Sequence, residues 1–445
     1  MSSNALPPGP KGIPFFGSAI PFFKDILGFL KNTAANYGDI AYFRLGNRKI
    51  YMINHPDDIQ DVLITNNKNF LKSRALQRAK LVVGEGLLTS EGETHLKNRR
   101  SIQPIFHNRV VPEFADTMVN FTNDYISGWE NSATMDIHRE MMEITQQIVV
   151  KTLFDSEMED SSRLINSLSY VLNQFPRFLF PFSEYLDKIP IPSNIKCNEA
   201  LKTIDDSLYK IIGQRKSNLS NRYDLLSLLL QLTENSNGNS SFDDIQVRDE
   251  VITFYIAGQE TTSNALCWTW YLISQNKEVE EKIDKEISEV LGDRLPDYKD
   301  LGSLTYIQNT VKESLRMYPP AWVITRRAIN DYKVGEYNIP SGADIYMSQY
   351  VVHYDKRFYS EPEIFNPDRW DNLKEKELHR FAFFPFGGGT RRCIGEPFAM
   401  MEAVLLIATI ASKWKLRLEP DFKVEAKPLI TLRPKYGLKM VLERK

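Results

Sequence analysis

The chain reads as a mainly α fold with a small β-rich part, organised as a single unit over residues 1–445. Apolar residues recur at helical spacing through most of residues 110–271, while strand-like alternation is confined to short pieces nearer the two ends. A hydrophobic content of 42% beside 25% charged residues is that of a soluble globular protein with a sizeable core. Lys+Arg 55 against Asp+Glu 57 leaves no global excess of positive charge, so nucleic acid is not an expected partner. Three cysteines are too few, and odd in number, for a disulfide framework, which fits a reducing cytoplasm.

Taken in order, residues 6–14 are proline-rich, and residues 13–30 mix apolar side chains with Pro14, Gly17, Pro21, Lys24, Asp25 and Gly28. Those interruptions leave no run of about 20 apolar residues, so no membrane span is expected. Residues 40–45 and 49–53 flank Gly46-Asn47 and predict a hairpin. Residues 56–64 predict a short helix, and proline-rich breaks fall near residues 175–192. The polar stretch 233–241 predicts a surface loop ahead of a long helix over 249–274. Glu and Lys at i,i+4 spacing over 278–290 predict a solvated helix face. Strands are expected at 324–328 and 333–339 and, near the end, at Leu429-Ile430-Thr431-Leu432.

The chemistry concentrates in Phe384-Pro385-Phe386-Gly387-Gly388-Gly389-Thr390-Arg391-Arg392-Cys393-Ile394-Gly395. One cysteine stands after a glycine-rich turn, beside two arginines and before a helix. Helix N-terminal amides and nearby cations both favour a thiolate there. Such a sulfur suits a nucleophile, one ligand of a zinc site, or the axial ligand of haem iron. A nucleophile wants a histidine base, and zinc wants several Cys or His ligands at short spacing, which do not accompany Cys393. In the long helix, Gly258 costs about 1 kcal/mol relative to alanine and asks for a reason. Thr261 is placed to bond back to the carbonyl of Ala257, bending the helix and opening a small polar groove. Glu313 and Arg316 stand at i,i+3 in a helix that ends before Pro319-Pro320.

The spacing Phe-x-x-Gly-x-Arg-x-Cys-x-Gly, met by Phe386, Gly389, Arg391, Cys393 and Gly395, resembles the haem-binding loop of the cytochrome P-450 superfamily. Ala257-Gly258-Gln259-Glu260-Thr261-Thr262 resembles the oxygen-activating helix of the same family. Glu313, Arg316 and, within Phe365-Asn366-Pro367-Asp368-Arg369-Trp370, Arg369 match its buried triad, a structural device that fixes the cysteine loop. Residues 95–100, followed by Pro104 and Phe106, resemble the helix that contacts the haem propionates, with His95 where the family commonly has Trp. Arg326 and Arg391 match two further propionate-binding arginines. Residues 6–14 resemble the proline-rich hinge that follows the membrane anchor of microsomal members.

The resemblance implies a cytochrome P-450 fold with haem b between the oxygen-activating helix and the helix that follows Cys393. Cys393 would be the iron ligand, with Arg391, Arg99, His95, Arg326, Phe386, Gly387, Gly395 and Ala257 around the cofactor. Thr261 and Glu260 would steer protons during oxygen activation, and Tyr255, Gln259, Trp322 and Val323 would face the substrate. The implied reaction inserts one atom of dioxygen into a C–H bond of a small organic molecule, by hydroxylation or by O- or N-dealkylation. A fatty acid, a terpenoid or steroid, an aromatic compound and a methyl ether such as a methylated sugar all remain open. Electrons from NAD(P)H would arrive through a ferredoxin or flavodoxin and its reductase, since no flavin or iron–sulfur module follows the last strand. Lys97, Arg100 and Arg392 would suit such an acidic donor. A cytoplasmic monomer without a membrane anchor or fused reductase is expected. The alternatives are a haem-thiolate peroxygenase or isomerase that uses hydroperoxides, and a non-enzymatic haem sensor.

Overall fold

Ile40–Leu45 and Arg48–Ile53 pair antiparallel with Tyr42 opposite Tyr51, and Gly46 at φ 61° makes the tight turn between them. The computed structural model describes residues 6–107, 109–157, 161–174, 189–217, 224–234, 242–372 and 378–445. The expected loop residues 235–241, and the break residues 175–188, lie outside them. The chain divides into two compact units, each assembled from separated segments: residues 1–78 with 315–393, and residues 79–314 with 394–445.

The first unit is built on a five-stranded sheet in the order Ile40–Leu45, Arg48–Ile53, Asp344–Met347, Ile324–Ala328, Phe70–Lys72. Neighbours run antiparallel except Arg48–Ile53 with Asp344–Met347, which are parallel. The expected strand at 333–339 is a small hairpin, Tyr332–Val334 with Tyr337–Ile339. The expected helix at 56–64 is α only over Pro56–Gln60 and continues as a π turn over Asp61–Thr65. Tyr51, Ile59, Leu63, Phe70, Ile345 and Met347 form the core, and it also takes in Phe381 and Phe384. Burial of those two rings, each removing apolar area worth about 25 cal/mol per Å², anchors the start of the cysteine loop to the sheet.

The second unit is helical. Its centre is Asp244–Ser274, longer at its N-terminus than the apolar pattern predicts because Asp243 caps it, accepting from the Gln246 amide at 2.7 Å. Ile137–Phe154 and Glu396–Ala411 pack against this long helix. A Cβ on Gly258 would stand 2.7 Å from Cγ2 of Val149, so the glycine allows close approach of Ile137–Phe154. Thr134–Asp136, Lys439–Arg444 and Trp414–Leu418 form a three-stranded antiparallel sheet. The strand expected at 429–432 is mostly the turn of a short hairpin, Ala426–Pro428 with Leu432–Pro434. Among the described residues no helix is long and apolar enough to cross a membrane.

Candidate active site

The cysteine loop belongs to the first unit. Gly387 and Gly389 take φ 69° and 66°, where a side chain would strain the backbone. A Cβ on Gly389 would meet the Leu63 carbonyl oxygen at 2.0 Å, and one on Gly388 the Phe381 ring at 2.4 Å. The loop is therefore pressed onto the π turn and onto a core ring. The Cys393 N–H donates to the Phe386 carbonyl at 2.9 Å, closing the turn and leaving the side chain at the surface. Cys393 is exposed, whereas the other two thiols, Cys197 and Cys267, are buried. No group of three or more His, Cys, Asp or Glu side chains is placed to hold a metal ion among the described residues. One accessible sulfur without that company fits a metal whose remaining protein-independent ligands would come from a macrocycle, so the residues fit haem better than zinc.

His353 ties this loop to the Arg316 helix, and sequence reasoning missed it. Its Nδ1 lies 3.2 Å from the Arg316 carbonyl and its Nε2 accepts from the Phe384 N–H at 3.1 Å. Burial, then the Arg316 charge, push its pKa down to about 3, so the ring is neutral and its tautomer follows from these two bonds. Arg316 donates to the His353 carbonyl at 2.9 Å. Arg369 donates to the Ser360 carbonyl at 2.7 Å, and both arginines reach the Ile364 carbonyl at 3.4 Å. Glu313, one turn before Arg316 on the Thr305–Met317 helix, is wholly buried. Arg326, half-buried on its strand, donates to the neighbouring Thr325 carbonyl at 3.0 Å, and Arg391 is half-buried within the cysteine loop. Trp322 is buried, with its carbonyl accepting from Ser348, and Val323 is partly exposed.

In the second unit the long helix turns one open face outward. Ala257 is exposed and Thr261 partly so, and the Thr261 hydroxyl donates to the Ala257 carbonyl at 2.7 Å, the bond expected from the sequence. Tyr255 and Gln259 do not share that exposed face. Both are fully buried on another side of the helix, so neither lines the open face. Thr145 of the packed helix donates to the Gln259 carbonyl at 3.2 Å, and the Tyr255 hydroxyl has no hydrogen-bond partner among the described residues. His95 is buried and Arg99 half-buried on Gly92–Ile102; Lys97 and Arg100 are exposed there. Gly395 caps the Glu396–Ala411 helix, with Pro397 in its first turn.

Glu260 does not share the open face with Thr261. Its buried carboxylate takes two hydrogen bonds from Arg433, one from Thr431 and one from the Asn264 amide at 2.9 Å. Burial alone would raise its pKa; the charge and hydrogen bonds of Arg433, then Thr431 and His138, outweigh it and hold the carboxyl below its usual range. His138, 3.2 Å from the Asn264 amide oxygen, is depressed to about 4 by burial and then by Arg433. At neutral pH Glu260 is therefore ionised in this pairing, so any part it takes in moving protons would begin from the carboxylate. Arg433 went unnoticed because a lone arginine between Leu432 and Pro434 looks like an edge-strand surface residue; only the fold buries it.

Across residues 7–440 the chain matches the family model described as Cytochrome P450. It is 33% identical to the cyclooctatin synthase of Streptomyces melanosporofaciens over 95% of this chain and 92% of that protein. The cyclooctat-9-en-7-ol 5-monooxygenase of the same organism is 32% identical, over 92% and 89% respectively. The pentalenene oxygenase of Streptomyces avermitilis is 31% identical, over 97% and 96%. With a family model and such relatives spanning nearly its full length, the chain belongs to the cytochrome P450 family, as a haem monooxygenase supplied with electrons by redox partners.

Proposed function

We propose that this protein is a haem-thiolate monooxygenase that hydroxylates an apolar terpenoid, with Cys393 as the iron ligand. The observation that carries the thiolate assignment is the exposed Cys393 sulfur on a loop whose glycines leave its backbone no slack. The substrate class rests on the relatives, whose names assign them to cyclooctat-9-en-7-ol and pentalenene. When bound, haem b supplies dioxygen activation, which a thiolate ligand favours over reversible oxygen binding.

The chain's own residues do the rest. Ala257 leaves room on the long helix, and Thr261, bonded to its carbonyl, keeps hydroxyl lone pairs for a proton-bearing partner. Glu260 holds this stretch of helix to the hairpin and acts as a positioning residue. Arg99, Arg326, Arg391 and His95 would meet the propionates, with Phe386, Gly387 and Gly395 shaping the cysteine side and Trp322 and Val323 the substrate side. Glu313, Arg316 and Arg369 serve structure, and His353 passes their rigidity to the loop. Exposed Lys97 and Arg100 give an acidic ferredoxin or flavodoxin, fed from NAD(P)H, a cationic face. The family match over residues 7–440 runs through both units and supports reading residues 1–445 as one functional domain, with a cytoplasmic monomer as part of the proposal.

Two experiments test this. Reduced, CO-treated protein should show the red-shifted Soret band of thiolate ligation, and Cys393→Ala should lose it; an unchanged band in the variant refutes the assignment. Terpenoids should give type I spectral shifts at lower concentration than fatty acids, aromatic compounds or methylated sugars. A stronger response to one of the other classes moves the substrate there. Turnover with hydroperoxide but none with dioxygen and an electron donor would instead favour a peroxygenase.

A further inference from the structure

Two adjacent carboxylates of the long helix have no part in the site described so far. Asp249 and Glu250 are both buried, and each captures a backbone amide of the segment 84–90. The Glu85 N–H donates to Asp249 at 2.7 Å and the Leu87 N–H to Glu250 at 2.9 Å. Glu250 also accepts from the Asn98 side chain at 3.0 Å and the Gln246 side chain at 2.8 Å, which links it to the Gly92–Ile102 helix. The segment fits with no slack. Gly84 lies at φ 56°, and a Cβ there would be 2.0 Å from the Asp249 carboxylate; a Cβ on Gly86 would be 2.1 Å from Oγ1 of Thr253. Thr89 folds the segment on itself, donating to the Gly84 carbonyl at 2.6 Å.

Its place on the helix matters. Asp249, Thr253, Ala257 and Thr261 follow one another at i,i+4, so they share a face. Segment 84–90 covers the first two, and the exposure begins at Ala257. The segment is thus a strap across one end of the open face that carries Thr261.

We propose that Glu250 is a positioning residue that latches this strap onto the long helix, and that losing its proton loosens the latch. The significance of the strap rests on the reading of Ala257 and Thr261 as the oxygen-facing surface; the latch itself does not, and the test below reads only the latch.

The direction follows from linkage. Burial is the main cause that lifts the Glu250 carboxyl from 4.5 to about 7, against the pull of the Leu87, Asn98 and Gln246 hydrogen bonds and with a smaller push from Asp249. Charged and titratable side chains on the neighbouring elements are Arg248, paired with Asp205 and Asp249, Glu85 of the strap with its partner Lys80, and His95 and Arg99 on the Gly92–Ile102 helix; of the charged groups, Asp249 is the one that shifts Glu250. A carboxyl that holds its proton more tightly when closed than when open stabilises the closed state at low pH. That advantage declines as pH rises from 4.5 to about 7 and is flat above.

The test is amide hydrogen exchange of residues 84–90 in the haem-loaded protein, corrected for intrinsic chemical rates. Between pH 5.5 and 8 the opening equilibrium should rise by about 30-fold, from the two carboxyl pKa values. In Glu250→Gln, which keeps a side chain of the same shape, that pH dependence should vanish. Gly86→Ala, which cannot seat against Thr253, should open the strap at every pH. A flat wild-type profile, the same slope in Glu250→Gln, or full protection in Gly86→Ala would each overturn the proposal.

Discussion

Arg433→Met removes the cation from the Glu260 network and leaves a carboxylate with nowhere to go. The Glu260 and Arg433 side chains are 2% and 7% exposed, so almost none of the lost attraction is replaced by water. Removing one partner of a buried pair of this kind costs about 3–5 kcal/mol. At about 2 cal/mol/K of unfolding entropy per residue, that loss lowers the Tm of a 445-residue chain unfolding as one by about 3–5 °C. The pH dependence is more telling than the size. In the wild type the folded pKa of Glu260 is depressed, so its contribution is complete above 4.5 and is lost only as pH falls through the folded value. Without Arg433, burial dominates, the folded pKa moves above 4.5, and stability from this group now falls as pH rises. His138 reinforces that sign. Freed from the Arg433 charge it gains a proton more readily, and it helps Glu260 most at acidic pH. Circular-dichroism melts of haem-loaded protein from pH 5 to 8 should therefore show the wild-type–variant gap widening with pH. Glu260→Gln with Arg433→Met, which leaves no buried charge, should recover most of the loss. A gap that is constant or shrinks with pH, or a double variant no better than the single, would refute the argument.

Three more expectations follow from the same geometry. Thr261→Ala should keep haem and substrate binding but divert electron flow, so that product per reducing equivalent drops and hydrogen peroxide rises; unchanged coupling would remove Thr261 from proton delivery. His353→Ala breaks the bridge from the Arg316 carbonyl to the Phe384 amide, and should speed haem loss measured by transfer to an acceptor globin. The wild-type loop should likewise weaken as pH falls from 6.5 towards 3, because the native ring is held neutral and unfolding lets it charge. Glu402, fully buried with no well-formed hydrogen bond to either oxygen among the described residues, has its carboxyl pushed well up by burial, with the nearby Thr262 side chain pulling the other way. Its folded state prefers the proton, so it costs stability as pH rises above 4.5, and Glu402→Gln should raise the Tm at pH 8 more than at pH 5.

What could be read from the chain depended on how local the physics was. The cysteine loop was legible because its determinants sit within one turn of backbone: two glycines at positive φ, a ring and a sulfur. The Thr261–Ala257 bond was legible because an i,i−4 contact is written into helical geometry. Gly258 was half-legible. Its presence demanded a reason, but the reason, Val149, lies on another helix more than a hundred residues away in sequence. Which side of the helix Tyr255 and Gln259 take was not legible for a related cause: a helix buried on several sides has no periodicity that marks which side is open. Glu260 shows the deepest limit. Motif position puts it beside Thr261, yet adjacent helix residues diverge by about 100° around the axis, and its partners come from the last strands of the chain. The acid and the alcohol are therefore neighbours in sequence that work on opposite problems. One is tied to a hairpin through Arg433, and the other keeps a hydroxyl at the open face, so a proton passing by way of Glu260 to Thr261 would need the Glu260–Arg433 pairing to open.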